Sequence, residues 1–213
     1  MHLPNHKIKA SYNYKEVVSW LIKTGTKHLG KNFVIPENEQ VIIFAILAWF
    51  LQDERVAVEM NIDLNKGIIL SGPIGCGKTT LFRLMKNIPS GRRNFRMVST
   101  RQIVAEFMQS GYEVMENYSR GNFYNDNRIP KNYCFDDLGT ETTSKYFGND
   151  CNVMAEILLT RYDIYKEKGI ITHLTTNLTA DEMESIYGNR LRSRMREMFN
   201  LFGYETSSED KRS

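Results

Sequence analysis

The sequence predicts an α/β fold, a parallel sheet with helices on both faces and a small helical segment ahead of it. Three observations carry this reading. Residues 72–79 read Gly-Pro-Ile-Gly-Cys-Gly-Lys-Thr between a short apolar strand and a helix. Strand-like and helix-like segments alternate from there onward. A further apolar strand ends in the paired carboxylates Asp136 and Asp137.

From the N-terminus, residues 11–29 are expected to be helical, with Val17, Val18, Leu21 and Ile22 forming an apolar stripe. Pro36 interrupts, and a second helix is expected over 37–52; its even hydrophobicity argues for burial. The apolar run 41–51 is too short to span a bilayer. Residues 1–10 are polar and carry His2, His6, Lys7 and Lys9, so no signal peptide is expected. The three cysteines, Cys76, Cys134 and Cys151, show no metal-ligand spacing. Free thiols in a reducing compartment follow, hence a cytoplasmic expectation without zinc or membrane. The charged triplet Asp53-Glu54-Arg55 reads as a connector. It closes an N-terminal appendage, 1–54, ahead of the α/β domain, 55–204, and the polar tail 205–213 is expected to be disordered.

Within the α/β domain, strands are expected at 67–71, 95–99, 133–136 and 170–175, and helices from 80, over 100–110 and over 153–166. The formal charge of +3 says little by itself. Its distribution is more telling: six lysines (Lys7, Lys9, Lys15, Lys23, Lys27, Lys31) face a single acid, Glu16, up to residue 35, with Tyr12, Tyr14, Trp20 and Phe33 interleaved. Such a pattern suits a nucleic-acid or partner surface, and equally a solvated helix face.

The segment 72–79 matches the pattern G-x-x-x-x-G-K-[ST] in the context its mechanism needs. Gly72, Gly75 and Gly77 let the backbone from Gly72 through Pro73, Ile74, Cys76, Thr79 and Thr80 curl around a polyphosphate, at the positive end of a helix dipole. Lys78 would reach the β- and γ-phosphates, and the Thr79 hydroxyl would ligate Mg²⁺. Cys76 reads as a small filler inside the loop, or as a handle for thiol reagents.

A phosphate cradle alone does not separate ATPases, GTPases and kinases. Asp136, at the end of Tyr133-Cys134-Phe135, sits where such a protein holds Mg²⁺, and Asp137 can polarise an attacking water as general base. Two acids there favour hydrolysis. The strand end Thr172-His173-Leu174-Thr175-Thr176-Asn177 offers a polar group beside the γ-phosphate, with Asn177 first and Thr176 second, because such groups sit at the carboxyl ends of parallel strands. Finally, Arg190, Arg192, Arg194 and Arg196 alternate along a helix whose apolar face is read as Leu191, Met195, Met198, Phe199 and Phe202. Arg194 is the candidate to project at a neighbouring copy's γ-phosphate, with contact to a phosphate backbone as its rival.

Together, Gly72 to Thr79, Phe135-Asp136-Asp137-Leu138-Gly139, Thr176-Asn177 and Arg190-Leu191-Arg192-Ser193-Arg194 resemble Walker A, Walker B, sensor 1 and the arginine-finger box. In this order they resemble the AAA+ ATPases of the DnaC/IstB group, helicase loaders and transposition helper ATPases related to DnaA, over roughly residues 55–204. The resemblance implies a P-loop NTPase fold of AAA+ type, ATP and Mg²⁺ as ligands, and ATP hydrolysis at the interface of a homo-oligomer; in departure from the family's pattern, no C-terminal lid is expected after the arginine helix. It implies Asp137 in the place of the usual Walker B glutamate, Arg194 as the finger and Arg190 as its support. It also implies single-stranded DNA contact from an extra helix over 106–128, where Tyr118, Arg120, Phe123, Tyr124 and Arg128 suit stacking and phosphate contact. The leading role is replicative helicase loading and the runner-up is transposition with a transposase partner. The alternatives of another class are a monomeric P-loop small-molecule kinase and a DNA-binding scaffold that barely hydrolyses.

Overall fold

The structure, a computed structural model, describes residues 12–30, 33–88, 93–121, 123–124, 129–141, 144–146 and 149–204. The expected tail 205–213 and the basic residues Lys7, Lys9 and Lys31 lie outside them. The chain divides into two compact units, residues 1–64 with 80–94, and residues 65–79 with 95–213.

The first unit is helical. Helix α1 (Tyr14–Leu29) buries Leu21 fully, and Val17, Val18 and Ile22 partly. A 3-10 turn, Glu37–Glu39, leads into α2 (Gln40–Leu51). In α2 the stretch from Ala45 to Phe50 is buried on every side, as its unbroken apolar sequence requires. The expected connector is instead the start of a helix: Asp53 accepts the Val56 N–H at 3.3 Å and caps α3 (Glu54–Glu59). Tyr14 donates to Asp53 Oδ2 at 3.3 Å and stacks on Phe44, so α1 and this cap are tied together. Burial first, and the Asp53 charge second, push the Tyr14 hydroxyl well above its ordinary pKa. Helix α4 (Lys78–Met85) begins in the second unit and ends in the first, where it buries Leu81, Phe82 and Met85.

The second unit is built on five parallel strands, β1 (Gly67–Ser71), β2 (Phe95–Ser99), β3 (Asn132–Leu138), β4 (Thr172–Thr176) and β5 (Phe199–Gly203), in the order β2-β3-β4-β1-β5. Central strands of a parallel sheet are covered on both faces and read as continuous apolar runs, as Ile68, Ile69 and Leu70 in β1 and Tyr133, Cys134 and Phe135 in β3 do. The sheet is accompanied by α5 (Thr100–Ser110), α6 (Tyr112–Glu116), α7 (Val153–Lys168) and α8 (Ala180–Met198). A π-helical turn, Asn117–Gly121, extends α6. Two short antiparallel ribbons pair Phe123–Tyr124 with Ile129–Pro130 and Ser144–Tyr146 with Asn149–Cys151.

Strand β5 departs from expectation. Phe199 and Phe202 do not continue the helix face of Leu191, Met195 and Met198; they belong to a strand pairing β1 from Gly67↔Phe199 to Ser71↔Gly203. Apolar spacing of three to four residues over this stretch fits either element, and the open edge of β1 decides between them. The chain order reverses at β1, so the crevice at its carboxyl end is where a ligand is expected in such sheets. Among the described residues no helix is long and apolar enough to cross a membrane.

Candidate active site

Strand β1 delivers the loop 72–77 to this crevice. Its exit is fixed by the Gly72 N–H donating to Thr176 O at 3.2 Å. Gly75 and Gly77 have φ of 84° and 97°, the left-handed region that glycine enters without a Cβ penalty. Ile74 stands at the tip, 62% exposed, while the Cys76 side chain is fully buried, which fits the filler reading.

Lys78, at the first turn of α4, is only 5% exposed. A buried ammonium is costly unless its protons are all taken up. Here Nζ donates to Gly72 O at 2.8 Å, Pro73 O at 2.7 Å and Asn177 Oδ1 at 2.6 Å, with Cys76 Sγ at 3.7 Å. The lysine is thereby held between the loop and the end of β4.

Thr79 donates to Asp136 Oδ1 at 2.9 Å, and Thr175 donates to the same oxygen at 2.6 Å. The register between β3 and β4 slips between Phe135 and Leu138, which takes the two aspartates out of regular pairing with β4, while Asp136 stays paired with Ser99 of β2. Asp137 has a φ of 59° and is clamped through its backbone. Its N–H donates to Thr175 Oγ1 at 2.8 Å, and its carbonyl accepts from Thr100 Oγ1 at 3.0 Å and from the N–H and hydroxyl of Thr140 at 3.2 and 2.8 Å. The backbone is locked while its carboxylate is left half-buried.

The structure brings Lys78 to Asn177 and Thr79 to Asp136, with Asp137 next in the chain after Asp136. Thr176, the second candidate, is fully buried and structural: its hydroxyl donates to Leu138 O at 2.7 Å and accepts the Leu178 N–H at 3.1 Å. Thr175, Thr100 and Thr140 were missed. Thr175 had a signal, since a hydroxyl in a fully buried strand must find a partner.

Helix α8 opens with a capping box, Thr179 and Glu182 satisfying each other's N–H groups at 2.8 and 3.3 Å. It breaks at Gly188. Arg194 lies with its guanidinium 5.1 Å above the Tyr162 ring on α7 and donates to Arg190 O at 3.4 Å. Glu197 binds the hydroxyl of Tyr162 and Nζ of Lys166, each at 3.1 Å, and the Lys166 bond is the first cause of its lowered pKa. Arg192 pairs with Glu184 and stands 4.0 Å from Asp181, while Arg190 and Arg196 are exposed. Arg194 is thus held on α7 within its own chain, with contacts separate from those of the cradle.

Tyr118 is a correction. It is 4% exposed, donates its hydroxyl to Glu106 at 2.8 Å and packs edge-on to Tyr133 and Phe135, so its ring is core rather than a stacking platform. Burial, then the Glu106 bond, raise its pKa far above the usual range. Arg120 is exposed, Arg128 and the side chains of Phe123 and Tyr124 lie outside the described residues.

The donor set fits a nucleotide polyphosphate with a hard divalent cation: glycine-lined amides, a held lysine, and a hydroxyl and carboxylate 2.9 Å apart. No protein-family model and no curated protein matches the sequence. Solved structures do. The DnaC helicase loader superposes with a TM-score of 0.51 at 17% identity, covering 83% of this chain and 96% of that one. DnaI gives a TM-score of 0.51 at 19% identity, with 82% and 89% covered. AMPPCP-bound DnaA from Aquifex aeolicus gives 0.52 at 17% identity, covering 82% of this chain and 48% of that one. At these identities the likeness is one of fold: the chain has the AAA+-type P-loop fold, with its glycine-rich loop following the interior strand β1.

Proposed function

We propose that this chain is an ATP-hydrolysing AAA+ protein that assembles with copies of itself and couples nucleotide state to single-stranded DNA and a protein partner, as a DnaC-like replicative helicase loader. The observation that carries the reading is the convergence of Lys78, Thr79, Asp136, Asp137 and Asn177 at the carboxyl ends of β1, β3 and β4. Lys78 neutralises β- and γ-phosphate charge. Thr79 and Asp136 would hold Mg²⁺, which would neutralise phosphate charge there. Asp137, its backbone held by Thr175, Thr100 and Thr140, takes the proton of the attacking water. Asn177 orients that water. Arg194 completes the site of a neighbouring copy, and the fold shared with the DnaC helicase loader supports the biological role.

Two measurements test this. ATP turnover is expected, and single-stranded DNA should raise it. Arg194→Ala should abolish turnover with nucleotide binding retained, and mixing with an Asp137→Asn copy should restore part of it, since each mutant supplies what the other lacks. A monomer whose turnover ignores Arg194 would overturn the shared site. Affinity capture with a slowly hydrolysed ATP analogue should recover a replicative helicase; recovery of a transposase would reassign the role.

A further inference from the structure

Between the turn after β3 and the end of the first half of α8, just ahead of its arginine-bearing half, runs a short polar connection that the chemistry above does not use. Both oxygens of Glu141 are engaged. Oε2 accepts the Gly139 N–H at 2.9 Å, and Oε1 accepts the hydroxyl of Tyr187. Gly139 lies two residues beyond Asp137, in the same turn whose carbonyl at Asp137 accepts from Thr140. One carboxylate therefore joins the general-base turn to the last turn of the first half of α8.

Tyr187 is 8% exposed, with its ring in the core. Burial first, and the charge of and bond to Glu141 next, push its hydroxyl far above the ordinary tyrosine range, so it remains a donor. The preceding residue is also anchored. Ile186 O accepts Asn152 Nδ2 at 3.1 Å, and Asn152 Oδ1 caps α7 through the Ala155 N–H at 3.0 Å.

The next residue is the break in the helix. Gly188 has φ 82° and ψ 157°, a region essentially closed to residues with a Cβ. A Cβ placed there would meet nothing within 4 Å. The glycine is therefore required by the backbone direction and not by crowding. Beyond it, Leu191, Met195 and Met198 re-enter the core, Arg190 is exposed and Arg194 lies half-buried over the Tyr162 ring. An amphipathic helix with a capping box at its start has no local need of such a break; its position, one residue after a doubly anchored pair, suits a hinge.

We infer that Glu141 and Tyr187 are positioning residues, a latch through which the Asp137 turn sets the direction of the arginine-bearing half of α8 across the Gly188 hinge. The inference rests on the reading of Arg194 as the group that completes a neighbouring site. The latch would report the state of one copy's γ-phosphate turn to the arginine offered to the next copy.

The test uses the full chain with Tyr187→Phe, which deletes only the hydroxyl, Glu141→Gln, and the double variant. Binding of a fluorescent ADP analogue should stay within about twofold of the parent, because neither residue touches the cradle. Turnover should fall about tenfold in kcat with KM little changed, the size by which residues outside both sites modulate coupling. The double variant should be no slower than the slower single variant, as expected for one shared connection. Amide hydrogen exchange should quicken at Gly139 and over residues 189–193 in Tyr187→Phe, and stay unchanged over α7.

Parental kcat in Tyr187→Phe, additive losses in the double variant, or unchanged exchange at Gly139 would each overturn the latch. A parent that turns over no ATP would overturn the function proposed above instead, and the exchange measurement would still decide the latch.

Discussion

The ammonium of Lys78 and the side-chain oxygen of Asn177 lie 2.6 Å apart, although 99 positions separate them in the chain. Parallel pairing of β1 and β4, with Ser71 opposite Thr176, brings the end of one strand to the loop that follows the other. The ammonium proposed to meet phosphate is thus held by the side chain proposed to orient the attacking water.

The two residues should separate cleanly by kinetics. Lys78→Met should abolish measurable nucleotide binding, since it removes the ammonium held against the loop by Gly72 O and Pro73 O. Asn177→Ala should leave affinity near the parental value and lower kcat about a hundredfold, the scale of losing one transition-state hydrogen bond. Equilibrium binding of a fluorescent nucleotide alongside steady-state turnover distinguishes them.

Asp137 combines its proposed role as general base with a left-handed backbone, φ 59°. Asparagine tolerates that conformation. Asp137→Asn should therefore keep the parental melting temperature and nucleotide affinity while turnover falls by about 10² to 10⁴. Asp137→Val should additionally destabilise the fold by about 1–3 kcal/mol, because a β-branched residue is strained there. Thermal unfolding of the two variants side by side reads the difference.

Arg161 is a stability determinant that no motif announces. It is fully buried, donating to Thr172 Oγ1 at 2.7 Å, Ile171 O at 3.0 Å, and Tyr118 O and Lys131 O at 3.2 Å, with Tyr133 and Phe135 rings 5.1 and 5.7 Å from its guanidinium carbon. Arg161→Met strands several buried acceptors and should cost about 3 kcal/mol or more. Arg161→Lys should recover little, since one ammonium cannot reproduce the planar fork. Urea unfolding should show a lower midpoint with an unchanged slope.

The α8 cap makes a pH-dependent contribution. The Thr179 N–H, then its hydroxyl, hold the Glu182 carboxyl below its ordinary 4.5. A carboxyl with a lowered folded pKa stabilises above its unfolded value and loses that contribution as pH falls through the folded one. Thr179→Ala should accordingly lower the melting temperature at neutral pH, and its deficit relative to the parent should shrink as pH drops below 4.5. A pH series of thermal melts on both proteins checks the sign.

The parts of the site readable in the sequence were those whose chemistry is local. Gly72 to Thr79 form loop and helix start within eight consecutive residues, and Asp136 and Asp137 follow an apolar run that marks a buried strand end. Tyr118 misled because an aromatic beside arginines has the same composition whether it faces solvent or Phe135. Phe199 and Phe202 misled because their spacing suits the face of a helix. Glu54 and Arg55 read as a connector because a six-residue helix carries too little periodicity to declare itself, although Asp53 before them was a legitimate cap.

By itself, then, the sequence determined the parallel α/β class, the glycine-rich loop and the acidic strand end, because glycine geometry, helix dipole and carboxylate placement act over a few neighbouring residues. Only the tertiary structure decided that Thr175, and not Thr176, serves Asp136, that β5 covers the edge of β1, that Arg194 rests on Tyr162, and that Glu141 joins Gly139 to Tyr187. Each of these depends on a hydrogen bond or packing contact between segments far apart in the chain, and such partners are chosen by strand order and register, which no local pattern of residues encodes.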